Sequence, residues 1–234
     1  MEKSKGPGVS TRAKSRVEAI GPYSFRQAPG GQRLTDDSVL VADFALPLTA
    51  ADSVIDLGTA AGAIPLMLAW KSPAARIVGV EVTGGPARTA RRNVAENGLA
   101  ERVEIIEGDW RGVRDIFAPG SFTSVVSNPP YRRAGSSRPS PDPARAAARS
   151  EVYGTLADLL DAAAYLLAPE GKASFVFTVE RSSEMTAGLR QRGLQPVRLE
   201  YVRSKPDAPA RVFLVEARRG YRLPVTCYRL SDNG

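Results

Sequence analysis

The chain has 234 residues, 43% of them apolar and 24% charged, a balance that supports a globular fold with a sizeable core. Its formal charge is +7, which favours a polyanionic partner, and it contains no histidine and a single cysteine, Cys227. That absence excludes Ser-His-Asp and Cys-His nucleophilic catalysis, zinc sites built from His and Cys clusters, and an internal disulfide framework, and it predicts a reducing, cytoplasmic setting.

Residues 1–20 are rich in Lys, Arg, Ser and Gly and lack the apolar core of a signal peptide. They read as a mobile basic arm ahead of one domain over 21–234. No apolar run approaches the roughly 18 residues of a membrane span, so no membrane partner is expected. A short strand is predicted over 23–27, closed by the Pro29-Gly30-Gly31 turn. Thr35 or Asp36 is the expected N-cap of a helix through Val39, Leu40, Val41 and Phe44. Ser53–Leu57 reads as a buried strand, followed by a glycine-containing turn and a helix over 64–70. Next come a strand over 76–81 and a helix over 85–97, ended by Gly98. Two strands follow, 103–106 and 122–127, and then a long Pro-, Ser- and Arg-rich loop over 132–150. The remainder reads as a helix (155–168), a strand (172–178), a helix (181–192) and two strands (196–203 and 210–218) around the turn at Lys205-Pro-Asp-Ala-Pro209. Strands alternating with helices of this length predict βαβ units and a parallel sheet. The final pair has no crossover helix and must be antiparallel.

Four segments carry chemistry. In Val54-Ile-Asp56-Leu-Gly58-Thr-Ala60-Ala-Gly62 a buried strand delivers an acid, and a glycine turn then lets the backbone approach a ligand at a helix start. The Gly58, Ala60, Gly62 spacing and the acid before the turn both depart from the dinucleotide-binding fingerprint. The next strand ends in Glu81, where a carboxylate is placed to take two ribose hydroxyls. After the third strand comes Glu107-Gly-Asp109-Trp110; Asp109 is a candidate acceptor for an adenine amine and Trp110 a candidate wall of the base pocket. As a residue just past a strand, Asp109 equally suits a turn or cap.

The fourth segment is Ser127-Asn128-Pro129-Pro130-Tyr131, where the fourth strand ends. Two successive prolines continue neither strand nor helix and force a stiff bend. That bend aims the Asn128 amide oxygen and the Pro129 carbonyl into one space, where two acceptors hold the two N–H groups of an exocyclic amine. Tyr131 supplies a ring to stack on a base turned out of its helix.

Asp56-x-Gly58, Glu81, Asp109 and Asn128-Pro-Pro-Tyr131 together resemble the class I S-adenosylmethionine-dependent methyltransferases of the amino-methylating group, over roughly residues 20–220. The resemblance implies a Rossmann-like α/β fold: a seven-stranded, mostly parallel sheet, its last strand antiparallel, with helices on both faces. It implies S-adenosylmethionine as cofactor, S-adenosylhomocysteine as product, and no metal. Within the group, three segments are similar to the bacterial family that N6-methylates adenosine 37 of a valine tRNA. These are Gln27-Ala-Pro-Gly-Gly-Gln-Arg33-Leu-Thr-Asp36-Asp37-Ser-Val-Leu40, Asn128-Pro-Pro-Tyr-Arg-Arg-Ala-Gly and Ala147-Ala-Arg149-Ser150-Glu151. The likeness implies that Asp37 helps build the cofactor pocket. It places Asp56, Gly58 and Gly62 near the methionine end, Glu81 at the ribose, Asp109 and Trp110 at the adenine, and Asn128 between cofactor and substrate. Asn128, Pro129, Pro130 and Tyr131 are the implied catalytic residues.

Two positions depart from the family pattern. Ala60 replaces the middle glycine of the cofactor turn, and a negative φ is expected there because Ala is costly in the left-handed region. Ser150 stands where a histidine usually precedes Glu151. Arg132, Arg133, Arg138, Arg145 and Arg149 gather beside the catalytic motif and are candidate phosphate contacts for a tRNA substrate. Arg203, Lys205, Arg211, Arg218 and Arg219 around the last hairpin would extend that face. Three other readings stay open: a glutamine-amide methyltransferase of a translation factor, another rRNA or DNA amino-methyltransferase, and a non-catalytic RNA-binding protein on the same scaffold. Either a monomer or a homodimer is compatible with the sequence.

Overall fold

A computed structural model describes residues 17–27, 34–129, 154–205, 207–221 and 228–231. In chain order the elements are β1 (Val17–Ile20), β2 (Tyr23–Arg26), α1 (Asp36–Phe44), β3 (Ser53–Leu57), α2 (Ala63–Lys71), β4 (Arg76–Glu81), α3 (Gly84–Glu96) and β5 (Val103–Glu107). A 3₁₀ turn (Trp110–Asp115) leads to β6 (Phe122–Ser127), α4 (Leu156–Leu166), β7 (Leu167–Thr178), α5 (Ser182–Gln191), β8 (Leu194–Arg203), β9 (Ala210–Arg219) and β10 (Tyr228–Ser231).

The main sheet has the order β10-β8-β9-β7-β6-β3-β4-β5. Every neighbouring pair is parallel except those made by β9, which runs antiparallel to both β7 and β8. The seven expected strands and the lone antiparallel one are therefore present. Tyr228–Ser231 adds an eighth, short strand beside β8 that the sequence pattern did not announce. No described helix is long and apolar enough to cross a membrane.

Strand alternation divides the core between two faces. Val54, Ile77, Val126, Val176 and Leu214 pack toward α1, α2 and α3, while Ile55, Val78, Val125, Phe175 and Phe213 pack toward α4 and α5. The strands are apolar on both faces because helices cover both. Each fully buried aliphatic or aromatic side chain contributes roughly 1.5–3 kcal/mol.

Residues 17–20, expected in the arm, form a strand. Val17–Ile20 pairs antiparallel with β2, Ile20 opposite Tyr23, across a Gly21-Pro22 turn in which Gly21 is left-handed (φ 55°). A Cβ on Gly21 would lie 2.3 Å from the Trp70 ring, so the hairpin rests against α2 through that glycine. Burial of Ile20 and Phe25 draws the segment into the domain. Residues 1–16 of the expected arm lie outside the described residues.

Candidate active site

In an open parallel sheet, ligands bind beyond the carboxyl ends of the strands where the strand order reverses. That point lies beside β3: β4 and β5 follow on one side, and β6 and β7 lie on the other. The turns leaving β3 and β6 therefore diverge and open a crevice. Gly58 to Ala61 from the first turn and Asn128 from the second line one cavity, with Phe25 and Ser38 among its other walls.

Beyond Leu57 the backbone passes through three left-handed residues, Gly58 (φ 82°), Ala60 (φ 49°) and Gly62 (φ 85°). Gly58 and Thr59 both donate to the Val80 carbonyl at 2.9 Å, which carries the β3–β4 ladder into the turn. A Cβ on Gly58 would meet nothing within 4 Å, so the bare backbone faces open space; one on Gly62 would come to 3.1 Å from Ala90 Cβ on α3. The negative φ expected at Ala60 is wrong. Its left-handed backbone costs roughly 1–2 kcal/mol in a residue with a Cβ. Two contacts hold it there. Ala60 N donates to Glu81 Oε2 at 2.9 Å, and Asn93 Nδ2 donates to the next carbonyl, Ala61 O, at 2.9 Å.

Glu81 spans two turns, its Oε1 also accepting from Thr83 N at 2.7 Å. The carboxylate is thereby fixed at the end of β4 before any ligand arrives. Asp56 is wholly buried beneath the turn, and neither of its oxygens has a hydrogen-bond partner among the described residues. Burial pushes its carboxyl up to about 7; the Glu81 charge adds to the rise and the nearby Thr59 hydroxyl offsets part of it.

On the other wall, Ser127 Oγ donates to Leu57 O at 2.6 Å and joins the two turns at their roots. Asn128 Nδ2 donates to Ser38 Oγ at 2.9 Å and lies 3.5 Å from Thr35 Oγ1. Asn128 and Pro129 are both buried. Asp37, also buried, is paired with Arg211 of β9 at 2.5 Å.

A strand–glycine-turn–helix unit and an Asn-Pro end of β6, facing each other across the switch point, are joined by a family match. The profile of the methyltransferase small domain matches residues 35–191. The chain belongs to that family. Two relatives of this methyltransferase domain carry the name tRNA1(Val) (adenine(37)-N6)-methyltransferase. The one from Aeromonas hydrophila is 40% identical over 150 residues, covering 64% of this chain and 61% of that protein. The one from Porphyromonas gingivalis strain W83 is 32% identical over 207 residues, covering 84% and 80%. The match thus spans less than two-thirds of the Aeromonas protein. A solved structure of a predicted O-methyltransferase from Agrobacterium tumefaciens superposes with a TM-score of 0.66 at 22% identity, over 83% of this chain and 85% of that one. That likeness shows the fold.

Of the residues singled out from the sequence, the methyltransferase fold brings Gly58 and Asn128 to one cavity. It places Glu81 one hydrogen bond away, through Ala60, and Asp56 directly beneath. Gly62 serves α2, as its left-handed N-cap. Asp109 caps the 3₁₀ turn, accepting from Arg111 N at 2.9 Å, and pairs with the Arg111 guanidinium at 2.5 Å. Burial raises its carboxyl, but those Arg111 contacts outweigh it and hold Asp109 below the usual carboxylate range. Trp110 is buried beside Leu156, and a Cβ on Gly154 would lie 2.4 Å from its ring. Pro130, Tyr131, Arg132, Arg133, Arg138, Arg145, Arg149 and Ser150 lie outside the described residues.

The hairpin arginines do not share one face. Arg203 and Arg211 lie at the carboxyl edge of the sheet with Asn128, whereas Arg218 and Arg219 close β9 at the opposite edge. Sequence reasoning also missed Ser38, Phe25 and Asn93. The Thr35-x-x-Ser38 spacing, two hydroxyls one turn apart at a helix start, was the available signal for the first.

Proposed function

We propose that this protein transfers a methyl group from S-adenosylmethionine to the N6 amine of an adenine in tRNA, adenosine 37 of a valine tRNA being the target its relatives' names give. The observation that carries the reading is the meeting of Asn128 with the Gly58–Ala61 turn in one cavity at the switch point. The residues fit the cofactor. The open left-handed backbone at Gly58 suits close approach of its methionine end, with Gly62 setting the helix behind and the Asp56 carboxyl below, whose ionised form a cationic ligand would favour. Glu81, preset by two backbone amides, suits the ribose hydroxyls. Asp109 and Trp110 follow β5 and are assigned to the adenine on their order in the chain, and Asp37, paired with Arg211, braces the wall formed by α1.

When bound, the cofactor supplies a methyl group already activated on a sulfonium. The chain's own contribution is positioning. Asn128 Oδ1 and the Pro129 carbonyl accept the two N–H groups of the amine, aim its lone pair and stabilise the positive charge that develops on nitrogen. Pro130 stiffens that bend and Tyr131 stacks on the flipped base. The proton leaves to water. Arg132, Arg133, Arg138, Arg145 and Arg149 grip phosphates around the target, in the cytoplasm where tRNA is processed.

The test is tritiated methyl transfer to bulk tRNA from a strain lacking the enzyme, followed by nucleoside analysis. Label in N6-methyladenosine is expected. Unlabelled tRNA together with a labelled glutamine amide in a translation factor would overturn the assignment.

A further inference from the structure

Thr35 is the N-cap of α1, with extended backbone (φ −119°, ψ 156°), yet its side chain makes no cap hydrogen bond. A threonine in that position ordinarily turns its oxygen onto an amide of the first helical turn, a contact worth about 1 kcal/mol. Here the hydroxyl lies 3.4 Å from Ser38 Oγ and 3.5 Å from Asn128 Nδ2, and Ser38 Oγ accepts from Asn128 Nδ2 at 2.9 Å. Two hydroxyls of one helical turn thus meet the amino side of a buried amide 90 residues away in the chain. Helix capping has given way to that contact.

A carboxamide is planar and carries its oxygen and its NH₂ on opposite sides of Cγ. Holding the NH₂ against α1 therefore turns the oxygen away from α1. Rotating the amide by half a turn would put its oxygen against Ser38, and the pair of hydroxyls would have to reverse donors together. Ser38 and Asn128 line the same cavity as the Gly58–Ala61 turn.

We propose that Ser38, supported by Thr35, is a positioning residue that locks the Asn128 amide in the orientation needed to accept the substrate amine. The inference rests on the reading that Asn128 holds that amine. Ser38 acts through Asn128, so its removal slows methyl transfer, leaves cofactor affinity alone, and has no effect once Asn128 is gone.

The experiment is single-turnover methyl transfer to bulk tRNA from the lacking strain, with cofactor affinity by calorimetry and melting temperature measured in parallel. The variants are Ser38→Ala, Ser38→Thr, Thr35→Val, Asn128→Ala and the double Ser38→Ala/Asn128→Ala. Loss of one neutral hydrogen bond predicts a rate about 10-fold lower for Ser38→Ala, with unchanged cofactor affinity and melting. Ser38→Thr, which keeps a hydroxyl on Cβ, recovers to within about 3-fold of wild type, and Thr35→Val falls by about 3-fold. The double variant is no slower than Asn128→Ala. Thr35→Val carries the test alone if Ser38→Ala melts early. The inference is overturned if Ser38→Ala and Thr35→Val both run at the wild-type rate while Asn128→Ala is slow. It is equally overturned if Ser38→Ala slows the Asn128→Ala background further. A fast Asn128→Ala marks a different failure, that of the reading of Asn128 itself.

Discussion

Both edges of the sheet bury a carboxylate, and they treat it in opposite ways. At the edge where β7 begins and β9 ends, Glu216 pairs with Arg198 at 3.4 Å and Arg218 at 3.0 Å. Lys172 beside it donates to Ala45 O at 2.6 Å and Pro47 O at 2.9 Å. Burial lowers the Lys172 pKa, Arg218 and Arg198 add to the fall, and Glu216 and Asp52 oppose it. There Lys172 is matched by carbonyls and the two arginines by a carboxylate, although Arg198 Nε is buried without a hydrogen-bond partner among the described residues. At the carboxyl edge, Asp56 is buried with no partner among the described residues, Ala60 is held left-handed, and a helix N-cap hydroxyl is spent on Asn128. Both edges carry some unmet demand, since that Arg198 Nε and the left-handed Glu170 (φ 61°) lie at the paired one. The wholly buried carboxylate without a partner among the described residues, however, lies at the edge that opens on the cavity.

The largest expected effect tests that contrast at Asp56. Its folded pKa, about 7, lies above the ordinary value of 3.8, so its protonated form is the one the fold accommodates. That stability is complete below about pH 4 and is lost as pH rises through 7, by up to about 4 kcal/mol for a shift of this size. Unliganded wild type should therefore lose more melting temperature between pH 5 and pH 8 than Asp56→Asn does. Parallel curves for the two proteins would remove the contrast.

Asn128→Ala comes next, with kcat lower by at least roughly 100-fold, about 2.7 kcal/mol, and cofactor affinity little changed. The measurement is steady-state methyl transfer by a variant shown to melt near wild type. At the paired edge, Glu216→Gln weakens two ion pairs whose arginines are partly exposed. Chemical denaturation should register about 1–2 kcal/mol of lost stability, with no change in single-turnover rate. A catalytic defect in that variant would mean the two edges are not separate in role. The smallest effect is Ala60→Gly, which relieves the left-handed strain against a loss of chain stiffness. We expect a stability gain of up to about 1 kcal/mol in thermal melts; a loss would mean the turn is unstrained.

Much of the site was legible because it depends on local order along the chain. Asp56, Gly58 and Glu81 stand at strand ends that periodicity locates, and Asn128-Pro129 must stop β6 because prolines cannot extend it. The conformation of Ala60 was not legible. It depends on a hydrogen bond to Glu81 on the next strand and on Asn93 of α3. The side-chain preference alone pointed the other way. Val17–Ile20 carries too little apolar pattern to announce a strand, and its pairing with β2 supplies what the pattern lacks.

The sequence by itself determined the order of seven sheet strands and their helices, the antiparallel pairing of β8 with β9 and the residues at the carboxyl ends of β3, β4 and β6, because all of these follow from spacing and turn chemistry. Only the tertiary structure decided which side chains meet. Arg211 and Arg218 are neighbours in sequence, but a strand rises about 3.3 Å per residue, so they stand some 23 Å apart, one beside Asp37 and the other beside Glu216. Ser38 and Asn128 are remote in sequence and 2.9 Å apart in space, because α1 packs over β6, β7 and β9 and brings its first turn to the end of β6. Spacing along the chain carries no information about that crossing; packing of α1 against the sheet sets it.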